Sequence, residues 1–296
     1  MSEAKLSPRL GIVILLVLAV MFGANHVAAR VAFDHGASVA AAVSARSATT
    51  ALVLLLLLAF QRVAFALDRK TLARALVVGV LVALQSFSLY SAVARIPVAI
   101  ALLIFATCPV MLVLVYWATG KEAPPVRAMV AMPVALLGLA LVLEVKPGSL
   151  AVRWDELGVG VTWALAAALS FTAVLFCNAH WLKQVDGRVR TFVMMATTAV
   201  IVLAMGAATS ELRLPGDSKG WLGLGLLTVL YGTAITSLFM VIPRLRSAAS
   251  TVALNFEPIA VLGLAWVFLG QGVRPLQILG AFIVVGAIAW LGTGRH

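Results

Sequence analysis

Charged side chains are scarce in this chain, and so are cysteine and histidine. Only 11% of the 296 residues are charged, against 63% apolar residues and a mean hydropathy of +1.09. An ordinary soluble domain has about a quarter of its residues charged, so this composition excludes that class. The sequence indicates an integral membrane protein.

The shortage of reactive side chains also argues against catalysis. Both cysteines, Cys108 and Cys177, lie inside apolar runs, which makes a structural disulfide improbable, and a metal site would need more ligands nearby. The four histidines form no helical constellation with Asp or Glu, and the chain has no Walker loop. We predict a protein that is not an enzyme and needs no metal and no cofactor.

A net charge of +11 would suit a nucleic-acid partner, but the basic residues stand at the ends of apolar runs instead of on one face. That placement is typical of membrane proteins, so we predict the lipid bilayer as a partner and no nucleic acid. The first apolar run is longer than a signal-peptide core, and further runs follow it. It is therefore interpreted as an uncleaved first helix.

Several apolar runs reach the roughly 20 residues that cross about 30 Å of hydrocarbon. Backbone groups in lipid must be satisfied within each segment, and the alternation of barrel strands is absent, so these runs are predicted to be helices. The predicted fold is an all-α integral membrane protein with ten transmembrane helices. The predicted spans are 9–33, 37–60, 72–94, 97–119, 125–144, 156–182, 190–209, 220–243, 247–269 and 275–292.

Lys and Arg are distributed unevenly between the two sides of this predicted topology. Fourteen lie in the connections and termini of one side and six on the other, leaving out Arg30 and Arg46, which fall within spans. Because cytoplasmic loops are enriched in basic residues, both termini are predicted to be cytoplasmic.

The two halves of the sequence repeat at an offset of 149 residues. The repeat predicts two five-helix units, 1–146 and 147–296, in one membrane domain. Five is odd, so the second unit enters the membrane from the opposite side, as in the inverted repeats of many secondary transporters. Matched residues include Gly11 with Gly160, Phe22 with Phe171, Ser88 with Ser237, Arg95 with Arg244, and Pro109 with Pro258.

Several motifs together resemble the drug/metabolite transporter superfamily, in its ten-helix EamA-type branch. They are Phe22-Gly23-Ala24-Asn25, Arg46, the stretch from Tyr90 to Pro109, Glu257-Pro258-Ile259-Ala260 with Leu269-Gly270, and Gln277-Ile278-Leu279-Gly280-Ala281. The chain departs from the family at Lys121 and Gln271, where members often have an acidic residue.

The resemblance implies a multi-pass carrier of the bacterial-type cytoplasmic (inner) membrane, often an exporter of amino acids or other small metabolites. Spans 1–4 and 6–9 would surround a central cavity, and spans 5 and 10 would pack outside it. The aromatic and neutral amino-acid exporters are the most similar subgroup.

Polar groups within spans are the first candidates for a substrate site, because burying them in lipid is expensive. Aromatic side chains on the cavity-lining spans are candidates for side-chain preference, although ordinary packing would also explain them. The cavity candidates are Asn25, Arg46, Gln85, Tyr90, Trp163, Tyr231, Asn255 and Glu257.

Each polar candidate has a functional and a structural interpretation. Glu257 could meet a substrate amino group or a proton, or form a buried pair with Arg46. Arg46 could bind a substrate carboxylate through its planar fork of donors. Alternatively, it could form the buried pair with Glu257 or extend its side chain to the outer surface. Gln85 and Asn255 could recognise a zwitterion or link helices. His26 could titrate together with Glu257 in a proton-coupled cycle, or pack as a neutral side chain.

Pro109 and Pro258 occupy matched positions in the middle of spans 4 and 9. Proline lacks an N–H and disturbs a helix, so both are predicted to be hinges, with a static kink as the alternative.

The predicted function is export of neutral or aromatic amino acids by alternating access around a central cavity. A carrier of drugs, quaternary cations or other metabolites with the same fold is the alternative, and a channel is the weaker one. The sequence does not decide between facilitated diffusion and proton antiport. It also leaves the direction of net transport and the oligomeric state undetermined, and a monomer is compatible with it.

Overall fold

The computed structural model describes residues 8–63, 65, 67–120, 126–142, 150–241, 254, 256–272 and 274–292. Over these residues the chain is helical and has no β-strand. The helices are α1 Pro8–Asp34, α2 Val39–Phe60, α3 Arg69–Val93, α4 Val98–Phe105, α5 Cys108–Ala118, α6 Val126–Val142, α7 Leu150–Trp181, α8 Gly187–Ala208, α9 Ser218–Val241, α10 Glu257–Leu269 and α11 Pro275–Gly292.

Short polar residues in the connections start several of these helices. The side chains of Ser38, Asp68 and Asp186 accept hydrogen bonds from backbone N–H groups in the first turns of α2, α3 and α8. Helix α10 ends at Gly270, whose φ of 61° lies in the left-handed region that favours glycine. The apolar runs between these signals form the helices.

Nine of the predicted spans coincide with described helix, and the fourth is divided into α4 and α5 by a break at Ala106 and Thr107. The ninth, 247–269, coincides with α10 over 257–269, and most of its first ten residues lie outside the described residues. Among the described residues, seven apolar segments are long enough to cross a membrane, with the fourth span taken as one. Three further apolar helices are shorter, at Met129–Val142, Glu257–Leu269 and Pro275–Trp290. The count of ten spans therefore stays a prediction.

Helix packing repeats with the sequence offset. Helix α1 packs on α9, and their counterparts α7 and α3 pack on each other. Helix α1 also contacts α10, and correspondingly α7 contacts α4 and α5. The pairs α2–α8 and α6–α11 each join a helix to its own counterpart. These particular contacts therefore recur when the two halves are exchanged.

Close approach of α6 and α11 depends on two glycines. A Cβ placed on Gly138 would lie 2.9 Å from the carbonyl oxygen of Gly280. Ala131 and Ala135 on α6 are also almost fully buried. Gly286 on α11 has open space around it, so it is not part of this contact.

The turn between α1 and α2 is tied to the segment that precedes α9. The carbonyl of His35 accepts from the N–H of Gly216 at 3.0 Å, and His35 Nδ1 lies 2.6 Å from Asp217 Oδ2. The backbone N–H of Gly220 donates to Asp217 Oδ1 at 2.9 Å. The Gly220 N–H first, and then His35, hold the pKa of the Asp217 carboxyl below its usual 3.8.

Large apolar side chains cover much of the outer surface. Leu56, Val200 and Phe268 are 61%, 67% and 69% exposed, on three different helices. An apolar surface of this kind is stable against hydrocarbon and unfavourable in water.

Candidate functional site

A cavity of about 360 Å³ lies at the centre of the helices, between the two halves. Phe22, Phe105, Phe171 and several leucines make most of its wall apolar. Its size and mixed character are typical of small-molecule sites, which combine apolar walls with a few placed polar groups. The polar side chains at this cavity include Arg46, Gln85, His26 and Glu257.

Arg46 is held by a chain of neutral groups beneath the cavity wall. Its Nη1 donates to the Tyr90 hydroxyl at 3.2 Å, and its Nη2 donates to Ser86 Oγ at 2.9 Å. The Tyr90 hydroxyl donates in turn to Asn25 Oδ1 at 2.8 Å. Asn25 and Tyr90 are fully buried and do not line the cavity. They position Arg46 through these hydrogen bonds.

The charge of Arg46 has no counter-ion among the described residues. Arg46 is 3% exposed, and its guanidinium carbon lies 3.9 Å from the ring centroid of Tyr231. A guanidinium has five N–H donors, and the two bonds to Tyr90 and Ser86 leave Nε without a partner in the described part of the chain. A buried cation that borders a cavity and lacks a carboxylate can accept an anionic ligand.

Glu257 pairs with His26 and not with Arg46. The distance from His26 Nε2 to Glu257 Oε1 is 3.3 Å, so the expectation that Glu257 could hold Arg46 is wrong for this structure. The contact needs close approach of α1 and α10, which Gly23 permits, since a Cβ there would lie 3.0 Å from Val261 Cγ2. Glu257 is also the first residue of α10, where the helix dipole favours a carboxylate.

The remaining predicted residues lie in different places. Gln85 lines the cavity, and its Oε1 accepts from Ser86 Oγ at 3.2 Å. Tyr231 also lines it. Trp163 packs against Phe87 with ring centroids 5.9 Å apart, and the residues lining this cavity do not include it. Asn255 lies outside the described residues.

Both prolines border the cavity at helix starts. Pro109 is the second residue of α5, directly after the break at Ala106 and Thr107. Because Pro109 has no N–H, the Phe105 carbonyl loses its usual helical donor and accepts instead from Cys108 Sγ at 2.8 Å. Pro258 is the second residue of α10. The helix discontinuity beside Pro109 is therefore part of the cavity wall.

Sequence reasoning missed Ser86, and it noted Cys108 as the counterpart of Glu257 without including it among the cavity candidates. Ser86 is 1% exposed and binds the Arg46 guanidinium, and Cys108 is the counterpart of Glu257 across the cavity. A lone serine or cysteine in an apolar helix carries no signal that separates it from packing residues. Only the position of Cys108 at the 149-residue offset from Glu257 could have indicated it.

The family to which the chain belongs follows from its match to a sequence profile. The sequence profile of the EamA-like transporter family matches residues 9–144 and again residues 158–293. The chain belongs to the EamA-like transporter family. It is therefore a multi-pass membrane transporter of the drug/metabolite type. Comparison with curated protein sequences gives no significant match.

The fold of this EamA-like transporter also occurs in a solved structure. A protein of known crystal structure superposes on it with a TM-score of 0.65 at 17% sequence identity. The match covers 93% of this chain and 95% of the other. At this identity the likeness shows the shared fold.

The family's two repeats contribute matched residues to the cavity. Six pairs related by the 149-residue offset line it from both halves. The cavity therefore lies on the approximate two-fold relation between the repeats. The pairs are Phe22 with Phe171, His26 with Leu175, Leu89 with Leu238, Phe105 with Leu254, Cys108 with Glu257, and Pro109 with Pro258.

Helix α11 departs from the arrangement implied by the family resemblance. Val285 and Ile288 on α11 line the cavity, whereas the lining residues include none from α6. The tenth predicted span therefore contributes to the cavity, although the resemblance implied that it would pack outside.

An apolar cluster extends from the cavity wall at Leu102 to the α3–α4 turn. Val93, Ile96, Val98 and Leu102 are 0–2% exposed there and belong to one continuous cluster. Arg30 on α1 donates to the carbonyls of Val93 and Ile96 at 3.0 and 3.4 Å, which fixes this turn to α1.

Proposed function

We propose that the chain is a ten-span secondary transporter that exports neutral or aromatic amino acids by alternating access around the central cavity. The observation that supports the substrate class is the arrangement of charge. Within the described part of the chain, one buried guanidinium without a counter-ion and one carboxylate paired only with His26 border the same apolar cavity.

A zwitterion complements this arrangement. Its carboxylate would bind the free donors of Arg46, and its ammonium group would bind Glu257 in competition with His26. The neutral amide of Gln85 adds a donor and an acceptor to the same cavity. An aromatic or aliphatic side chain would then pack against Phe22, Phe105 and Phe171, because apolar burial and ring contacts stabilise it there.

The charge distribution in the loops supports both termini in the cytoplasm and a location in a bacterial-type cytoplasmic membrane. In that orientation the buried apolar cluster at the α3–α4 turn lies at the outer face. The cavity also reaches Leu238 and Leu254, near the end of α9 and the start of α10. We infer that this structure is the cytoplasm-facing state.

Other functions fit the cavity less well. A carrier of quaternary cations would place a positive ligand beside Arg46, which electrostatic repulsion disfavours. A channel needs a continuous polar path, and the wall of this cavity is mostly apolar. Proton coupling through the His26–Glu257 pair is compatible with the geometry, since a substrate ammonium group and a proton would compete for the same carboxylate.

Counter-flow in liposomes tests the proposal. Protein reconstituted with unlabelled amino acid inside should take up labelled amino acid with saturation, and neutral or aromatic amino acids should compete best. Rapid flux without saturation would instead indicate a channel, and no flux with any amino acid would contradict the substrate class.

The Glu257→Gln variant tests the role proposed for the carboxylate. It keeps the side-chain shape and removes the charge, so amino-acid affinity should fall, and any dependence of flux on a pH gradient should disappear. Wild-type kinetics in a folded Glu257→Gln protein would exclude Glu257 as the ammonium site.

A further inference from the structure

The central cavity is lined unequally by the two halves. Arg46, Gln85 and Tyr231 line it, but their counterparts at the 149-residue offset are Met195, Ala234 and Val82, which do not. These three counterparts are 3%, 0% and 7% exposed, and Arg46 is itself 3% exposed, so the difference lies in what borders the cavity and not in exposure.

Their burial in apolar clusters shows how different the two environments are. Val82 and Met195 belong to one apolar cluster, and Ala234 belongs to another. In contrast, six other pairs of counterparts line the cavity from both sides, including Cys108 with Glu257.

The inverted repeats predict how the lining of the cavity changes during the transport cycle. In a transporter built from them, each repeat adopts in one access state the conformation that the other repeat has in the opposite state. Residues whose counterpart also lines the cavity therefore line it in both states. Arg46, Gln85 and Tyr231 line it in the present state alone, and Met195 and Ala234 replace the first two in the opposite state.

We propose that this transporter binds the substrate carboxylate through Arg46 in one access state and lacks that contact in the other, where the thioether of Met195 takes its place. The inference rests on the proposed function, because it assumes a zwitterionic substrate and alternating access. The counterparts of Glu257 and His26, which are Cys108 and Leu175, also line the cavity. Glu257 and His26 therefore line it in both states, and the site proposed for the ammonium group persists.

The consequence is a transporter with different affinities on its two faces. A charge-assisted hydrogen bond present in only one state makes the substrate bind that state more tightly. Substrate then shifts the population toward the Arg46-lined state, because a ligand shifts an equilibrium by its difference in affinity. This difference alone does not drive accumulation, since unequal rates of interconversion balance it over a full cycle.

Half-saturation measured separately on each face tests the inference. Right-side-out and inside-out vesicles that contain the full chain should differ by about tenfold or more in the half-saturating concentration of the amino acid that shows counter-flow. The Arg46→Met variant, which installs the residue of the second half, should raise the lower value to about the higher one. The control Arg95→Met should keep the difference, because Arg95 lies outside the cavity.

A labelling experiment tests the exchange of lining residues independently of affinity. In a chain with Cys108→Ser and Cys177→Ser, we expect a membrane-impermeant maleimide to label Gln85→Cys from one face and Ala234→Cys from the other. Labelling of both from the same face would overturn the inference. Saturable flux with equal half-saturation on the two faces would overturn it while leaving the proposed function intact. An absence of saturable flux with every amino acid would overturn both.

Discussion

The Arg46→Lys substitution keeps the charge at the cavity and removes the planar fork of donors. Arg46 has five N–H groups; two of them bind Tyr90 and Ser86 and the Nε–H is buried, which leaves two for a ligand. A lysine ammonium group has three N–H donors in total, and one remains if the same two partners are kept. The variant therefore loses about one charge-assisted hydrogen bond to a substrate carboxylate.

A hydrogen bond to a charged group contributes about 1.5–3 kcal/mol, which corresponds to a roughly 10- to 150-fold rise in the half-saturating concentration. The assay is concentration-dependent counter-flow of a labelled neutral amino acid in liposomes. Arg95→Lys is the matched control, because Arg95 donates to the Ser91 carbonyl outside the cavity. If Arg46→Lys melts like the wild type and its half-saturation stays within about twofold, Arg46 does not recognise the carboxylate.

Three further predictions address hinges, packing and pH. Replacing Pro109 or Pro258 by alanine should slow turnover several-fold with little change in half-saturation, and normal turnover in both variants would exclude hinges. Gly280→Ala should destabilise the protein by about 1–3 kcal/mol, because the new Cβ would lie 2.9 Å from a backbone nitrogen of α6; Gly286→Ala, with open space, should leave the melting temperature in detergent unchanged. Asp217→Asn should lower the melting temperature equally at pH 7 and pH 5, and the substitution should have no effect only below pH 3.8. The reason is that the lowered pKa of the Asp217 carboxyl makes its ionised form stabilising above that value. An effect already lost at pH 5 would contradict this.

The helices and the repeat could be predicted from the sequence because both depend on local patterns. Apolar length determines which segments form membrane helices, and an offset between matched residues is visible without a structure. The discontinuity beside Pro109 was likewise predictable, since proline removes a backbone donor wherever it stands in a helix. The positions of Arg46 and Glu257 inside apolar spans identified them as candidates for the same reason.

The partners of those residues could not be predicted, because they depend on how the helices approach each other. Glu257 contacts His26 because Gly23 brings α1 close to α10, and no local pattern distinguishes that outcome from a pair with Arg46. The direction that Trp163 faces depends on the rotation of α7, which an almost uniformly apolar helix does not specify. In the structure Trp163 packs on Phe87 and is not among the residues that line the cavity.

Alkylation of Cys108 most directly tests the central claim, that one cavity between the two repeats opens in turn to each side of the membrane. Cys108 lines that cavity, and its counterpart Glu257 does too, so it should remain at the cavity in both access states. In a Cys177→Ser chain it is the single thiol, since the sequence has two cysteines. The account predicts modification by an impermeant maleimide from either face, slowed on both by the transported amino acid. Modification from one face only, with or without that amino acid, would contradict it.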